Sequence, residues 1–311
     1  MRTLQAQRRE ALGIDVLPGA FTHHVGSIAD RAFVRRCMKQ VTTVLHAATL
    51  HKPHVATHSR QDFVDVNITG TLNLLEEAAA AGVSAFVYTS TTSVFGDALV
   101  PPPGEPAAWI TEDVAAVPKN IYGVTKAAAE DLCQLFARNH ALRTIVLRTS
   151  RFFPEEDDNR AIRAAYADAN IKTNEFLHRR VDIEDVVSAH LLAAQCAPSA
   201  GFAKYIISAT TPFARHDAAD LRDHAPQVVR RYVPDYEAEF ARRGWTMTPA
   251  IDRVYDNARA RAELGWQPRH DFRALVARLK AGEDISSPLA REIGSKGYHD
   301  RVFRDGPYPV E

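Results

Sequence analysis

Short apolar runs rich in β-branched residues alternate, over the first two thirds of the chain, with stretches of helical period. The clearest runs are Val41–His46, Ala85–Thr89 and Arg143–Leu147, apolar on both faces and so predicted to be strands covered on both sides. Between them, Ile68, Leu72, Leu75 and Ala79 share one helical face, with Gly82 as the stop. Val124, Ala128, Leu132, Leu135 and Phe136 share a face over 122–139. A further helix is predicted over 181–195, with Asp182 or Asp185 near its start, and a short strand over 205–208. Strands alternating with helices predict the α/β class, as a Rossmann-like doubly wound parallel sheet. Pro154 to Arg160 is an acidic loop, and from residue 211 on Arg, Pro and aromatic residues replace the periodicity. The expected layout is therefore 1–175 as the Rossmann-like domain, 180–210 returning to it, and 211–311 as a smaller lobe and tail.

Charge and composition narrow the class. Lys plus Arg and Asp plus Glu number 38 each, so no long-range field favours nucleic acid or an anionic membrane. Hydrophobic residues at 46% suit a chain that buries a large core. Cys37, Cys133 and Cys196 lie far apart with no C-x-x-C, which points to a reducing compartment. No run reaches 18 apolar residues and the polar, basic start has no signal-peptide core, so the expected location is the cytoplasm.

The chemistry centres on Tyr122-Gly-Val-Thr-Lys126. Four residues apart on a helix, the two side chains share a face. An ammonium near a phenol favours the phenolate, so this Tyr could exchange a proton with a carbonyl or alcohol near neutral pH. Upstream, the strand Phe86–Ser90 runs into the hydroxyl cluster Thr91-Thr-Ser93. The carboxyl ends of parallel strands are where ligands of open α/β sheets bind, and a hydroxyl there can hold the oxygen that the Tyr protonates. His51, His54 and His58 could align on one helical face. No carboxylate or Cys accompanies them at ligand spacing, so they read as a pocket rim or solvated loop, and no metal is assigned.

Seven segments carry a resemblance. His46-Ala-Ala-Thr49 resembles the H-x-A-[AG] loop of the extended short-chain dehydrogenase/reductase superfamily, and Asn67-Ile-Thr-Gly-Thr71 its N-x-x-G-T helix opening. Thr89–Gly96 resembles the S-S-[ST]-x-x-V-Y-G stretch, and Tyr122 with Lys126 falls on the Tyr/Lys pair. Leu147–Pro154 resembles L-R-x-x-N-x-[YF]-G-P, Arg180–Val187 resembles [FY]-[IV]-H-V-x-D-V, and Ala260–Trp266 with Pro268 resembles A-x-x-x-L-G-W-x-P. The order holds from about residue 22 to 270, and the pattern is similar to the NAD-dependent epimerase/dehydratase family, in its UDP-glucose 4-epimerase-like branch. The resemblance implies Tyr122, Lys126 and Thr91 as catalytic residues. It implies Ser27, Ile28, Ala47, Ala48, Thr49, Asn67, Thr89, Lys126 and Ser150 around NAD, with NADP left open, and Thr91, Thr92 and Arg151 around a nucleotide-sugar substrate bound by the 211–311 lobe. It also implies a homodimer.

The chain departs from the pattern in four places. Gly13, Gly19 and Gly26 are too widely spaced for the G-x-x-G-x-x-G turn that cradles a dinucleotide's diphosphate. The match begins with Thr22–Asp30 as the third strand and its adenine loop, so the sheet is expected to be incomplete at its N-terminal side, with a gap between the third and fourth strands. Either a longer natural chain carries the missing unit, with Met1–Leu4 ending the second strand, or the chain is a degenerate form that binds NAD weakly. Ser27 replaces an adenosine-binding Asp, Arg151 an Asn near the substrate diphosphate, and Asp182 a frequent His. Thr91 is followed by Thr92 and Ser93 and lacks the acidic neighbour that sugar dehydration needs. The lead reading is an epimerase; a carbonyl reductase of the same superfamily and a non-catalytic homologue are the alternatives.

Overall fold

The computed structural model describes residues 1–295, 297–299 and 303. In chain order, α1 (Arg2–Ala6) leads to β1 (Ile14–Asp15), β2 (His24–Val25), α2 (Arg31–Cys37) and β3 (Thr43–His46). Next come α3 (Arg60–Phe63), α4 (Gly70–Ala80), β4 (Ala85–Thr91), β5 (Ala108–Ile110), α5 (Ile121–His140) and β6 (Thr144–Thr149). Then follow α6 (Arg160–Ala165), α7 (Asp168–Glu175), α8 (Ile183–Ala200) and β7 (Phe202–Ile207). The remainder holds α9 (Ala218–Asp223), α10 (Ala225–Tyr232), α11 (Tyr236–Arg243), β8 (Arg253–Tyr255), α12 (Ala258–Leu264), α13 (Phe272–Lys280) and α14 (Pro288–Ile293).

The apolar runs become the main sheet, of order β3-β4-β6-β7. β3 and β4 pair in parallel from Thr43 opposite Ala85 to His46 opposite Tyr88. Thr144 N–H donates to the Gly201 carbonyl and Ser150 N–H to that of Ile207, at 2.8 and 2.9 Å. The sequence offset is the same at both points, so β6 and β7 are parallel too. This is an α/β Rossmann-like fold. β1 and β2 form a separate parallel pair, and among the described residues no ladder joins them to β3.

The described residues form two compact units: residues 1–90, 121–147 and 190–204, and residues 91–120, 148–189 and the described ones from 205 on. In the first, α2 packs on α4 and α4 on α5. Phe33, Val34, Leu74, Leu75, Ala78, Phe86, Tyr88, Ala129 and Cys133 form its core. Gly70 admits Ile28, whose Cδ1 would lie 2.6 Å from a Cβ at that position. The second unit packs Leu177, Leu221, Val228, Phe240, Val254, Phe272 and Val276 together, with β5 parallel to β8. Trp266 is buried there, its indole N–H donating to the Asp185 carbonyl at 3.1 Å. No helix among the described residues is long and apolar enough to cross a membrane.

Three local expectations change. Met1–Leu4 does not end a strand: it enters α1, where Gln5 and Gln7 N–H donate to the Met1 and Thr3 carbonyls at 3.0 Å each. With no strand paired to it among the described residues, the segment satisfies its backbone by local turns. The strand sought within Thr22–Asp30 is two residues long and pairs with Ile14–Asp15, which no periodicity announced. The helix predicted from Asn67 opens earlier, as a π-helical turn over Val64–Thr69 that runs into α4.

Candidate active site

In the first unit, α5 carries Tyr122 and Lys126 one turn apart, both buried. Lys126 Nζ donates to the Thr89 carbonyl at 2.6 Å and lies 4.1 Å from the centroid of the Tyr88 ring. Burial pushes its ammonium down to about 7, against the pull of Glu130 and Cys133. The Thr89 hydroxyl meets His190 Nε2 at 2.7 Å. One residue on, Ser90 Oγ donates to Glu130 at 2.6 Å, and that carboxylate also pairs with Lys204 at 3.2 Å. Glu130 and His190 were missed by the sequence reading, since no spacing rule links a helix face to a strand end 40 residues earlier.

Asn67 ties this helix to the end of β3. Its amide oxygen accepts from the Thr49 hydroxyl and from Leu50 N–H, both at 2.8 Å. Its amide nitrogen donates to the Leu50 carbonyl at 3.1 Å and to Thr125 Oγ at 3.0 Å. Thr125 donates in turn to the Ile121 carbonyl, one turn back on α5. The π-helical turn places Asn67 here, as such turns commonly do at functional positions. Thr71 Oγ donates to the Asn67 carbonyl at 2.7 Å, so the contact at 2.8 Å from His46 Nε2 to that hydroxyl fixes Nε2 as the protonated nitrogen. His46 Nδ1 is buried without a partner, and burial first, then Lys126, holds the ring neutral with a pKa of about 3.

Among the other residues assigned to the cofactor, Ala47 and Ala48 are exposed and Thr49 half-buried. Ser27 Oγ accepts from Ala29 N–H at 3.1 Å, and Ile28 is a core residue. Gly13 and Gly26 are taken up by packing: a Cβ would lie 1.9 Å from the Phe21 carbonyl oxygen in one case and 2.6 Å from the Phe33 ring in the other. The residues assigned to the nicotinamide end pair as Thr49 with Asn67 and Thr89 with Lys126, and among the described residues Gly13 and Gly26 leave no glycine cradle for a dinucleotide's diphosphate. His51 comes within 6.1 Å, centroid to centroid, of the Tyr122 ring. His54 Nδ1 accepts from His51 N–H at 2.8 Å, and His58 is exposed, so the trio runs from the Tyr122 ring outward.

The second unit holds Thr91, Thr92, Ser150 and Arg151. Thr91 Oγ accepts from Ser93 N–H at 3.1 Å, capping the turn over Thr92–Leu99 and leaving its hydroxyl proton to donate. Thr92 is buried, and Ser150 Oγ is buried without a partner. Arg151 is not open to solvent as a free cation: Asp157, Asp158 and Glu175 lie at 2.6, 3.2 and 3.3 Å from its guanidinium. Glu175 and Arg179 were not singled out from the sequence, and Arg180 only as the start of a matched segment, although the acidic loop beside them was. At the start of α8, ligand atoms of Asp182, Glu184 and His270 lie within 4.8 Å of one another. Asp182 already accepts from Glu184 N–H and Glu184 from Arg269, so these groups clasp the chain to the helix start.

Comparison with known proteins bears on the family and the fold. The model of the NAD dependent epimerase/dehydratase family matches residues 1–202. UDP-glucose 4-epimerase of Streptomyces lividans is 24% identical over 312 residues, covering 92% of this chain and 87% of that one. A 3beta-hydroxysteroid dehydrogenase/Delta(5)-Delta(4) isomerase of Caenorhabditis elegans is 36% identical over 132 residues, 40% of this chain and only 27% of its own length. The solved structure of MoeE5 in complex with UDP-glucose and NAD superposes with a TM-score of 0.61 at 21% identity, over 94% of both chains.

Proposed function

The chain belongs to the NAD dependent epimerase/dehydratase family, and on that footing we propose that it is a nucleotide-sugar epimerase of the UDP-glucose 4-epimerase type. NAD, when bound, supplies the acceptor and donor of a hydride at the sugar carbon. Thr49, Asn67, Thr89, Lys126 and Ser150 are the residues assigned to hold its nicotinamide end. Tyr122 takes the proton of the sugar hydroxyl and returns it after the intermediate ketone has presented its other face, so its protonation state is restored within each cycle. Thr91 donates its free hydroxyl proton to the reacting oxygen. Lys126, whose ammonium is pushed down to about 7, lies one turn from Tyr122 on α5 and holds the nicotinamide ribose.

One observation carries this reading. Tyr122 and Lys126 share a buried face of α5, and Lys126 is tied to Thr89 at the end of β4, where open α/β sheets act on their ligands. The test is turnover of UDP-glucose to UDP-galactose with added NAD. Tyr122→Phe is expected to lower kcat by roughly 10²–10⁴-fold, as loss of a positioned proton-transfer group does. Full activity in that variant would remove Tyr122 from the chemistry.

A further inference from the structure

Six ionised side chains of the second unit close on one another just beyond β6. The Arg151 guanidinium spans Asp157, Asp158 and Glu175. Arg179 reaches Glu175 at 2.8 Å and Asp157 at 3.7 Å, and Arg180 donates to Glu175 at 2.7 Å. Three cations against three anions make the group neutral, but the carboxylates are not equivalent. Glu175 ends α7, is 1% exposed and touches all three arginines. Asp157 and Asp158 sit on the loop into α6, a helix that buries none of its residues. Asn159 N–H donates to Asp157 and Arg163 to the Asp157 carbonyl, while Arg180 and Lys172 hold the preceding Phe153 and Pro154 carbonyls. Asp157 and Asp158 are 5% and 8% exposed and held by a loop, whereas Glu175 is held by a helix.

Without the two aspartates, three arginines and Glu175 carry a net charge of +2. A diphosphate diester carries about −2, and adjacent carboxylates on one guanidinium imitate the paired oxygens of linked phosphoryl groups. Arg179 Nε is buried with no acceptor among the described residues, one donor to spare. We infer that Asp157 and Asp158 are an internal counter-anion, seated on the Arg151–Arg179–Arg180 cluster until the diphosphate of a substrate displaces them. The inference rests on the nucleotide-sugar reading above. The exchange is charge-neutral, so it avoids the cost of leaving buried cations unpaired. It also makes the pair a specificity filter: a single neutral ligand group cannot replace two carboxylates.

Calorimetric titration of the full chain with inorganic pyrophosphate tests it. Asp157→Asn/Asp158→Asn is expected to bind pyrophosphate roughly tenfold or more tightly than the parent, because a competing anion pair is gone. Adding Arg151→Met should abolish the gain. Asp113→Asn/Asp168→Asn, which removes the same charge from exposed carboxylates, should give no comparable gain. Should the double variant fail to fold, Asp158→Asn alone should still bind about threefold tighter. Affinity equal to that of the parent or of the surface control overturns the inference. If the parent converts UDP-glucose while the aspartate variants show no gain, the counter-anion falls and the epimerase reading stands. If they gain affinity but no variant turns over UDP-glucose, the counter-anion stands and that reading falls.

Discussion

Lys126 shows at the scale of one residue how burial sets a working charge. Burial moves its ammonium from 10.5 to about 7, with Glu130 and Cys133 holding back the fall. A lysine whose folded value lies below its unfolded value destabilises the fold while it must be charged. Between about 7 and 10.5 the unfolded chain binds the extra proton, so stability rises with pH across that window. Lys126→Met should therefore be more stable than the parent at pH 7, by at most about 5 kcal/mol. The advantage should shrink at pH 9. Urea unfolding at the two values decides it, and an advantage that grows with pH would contradict a buried ammonium. The Tyr122/Lys126 pair was legible in the sequence because the helical repeat alone puts the two on one face. That the Lys126 Nζ faces the Thr89 carbonyl was not, because it depends on how α5 is set against β4.

Elements were legible where they were long enough to repeat a pattern. β4, β6, α4 and α5 all appear close to their predicted positions. β1 and β2 have two residues each and carry no period to read. The π-helical turn was hidden too, since its wider repeat moves the start of the helix without changing which residues are apolar. The turn after β4 is a case in which one residue type decides an element. Gly96 has φ +51° and ψ −114°, and a Cβ there would sit 1.8 Å from the Val117 carbonyl oxygen. Neither the backbone angle nor the opposing main chain tolerates a side chain. Gly96→Ala should cost more than about 3 kcal/mol and disturb the cap that Thr91 makes on Ser93. Thermal and urea unfolding would show this, and a variant as stable as the parent would mean that the turn has another route past Val117.

For the molecule as a whole, the alternation of strands and helices was enough to give the α/β class, because a parallel sheet demands crossovers and those crossovers write their own period. The charge network of the second unit left no such trace. Its members, from Arg151 to Arg180, meet only when the chain beyond β6 folds back through α7. Glu175 is the point on which that return depends. Burial opposes its ionisation, but Arg180, Arg179 and Arg151 together overcome this and hold its carboxyl well below the ordinary 4.5. A depressed carboxyl contributes stability above the unfolded value that is lost as pH falls below it. Glu175→Gln leaves three buried or half-buried arginines without their shared partner and should cost about 3–5 kcal/mol at pH 7. The gap to the parent should hold at pH 5 and narrow steadily below about 4.5, as the parent begins to pay for keeping Glu175 ionised. Urea midpoints at pH 7, 5, 4 and 3 measure it. A gap independent of pH would mean that the glutamate acts through its shape and hydrogen bonds, and that the arginines draw their balancing charge from Asp157 and Asp158 alone.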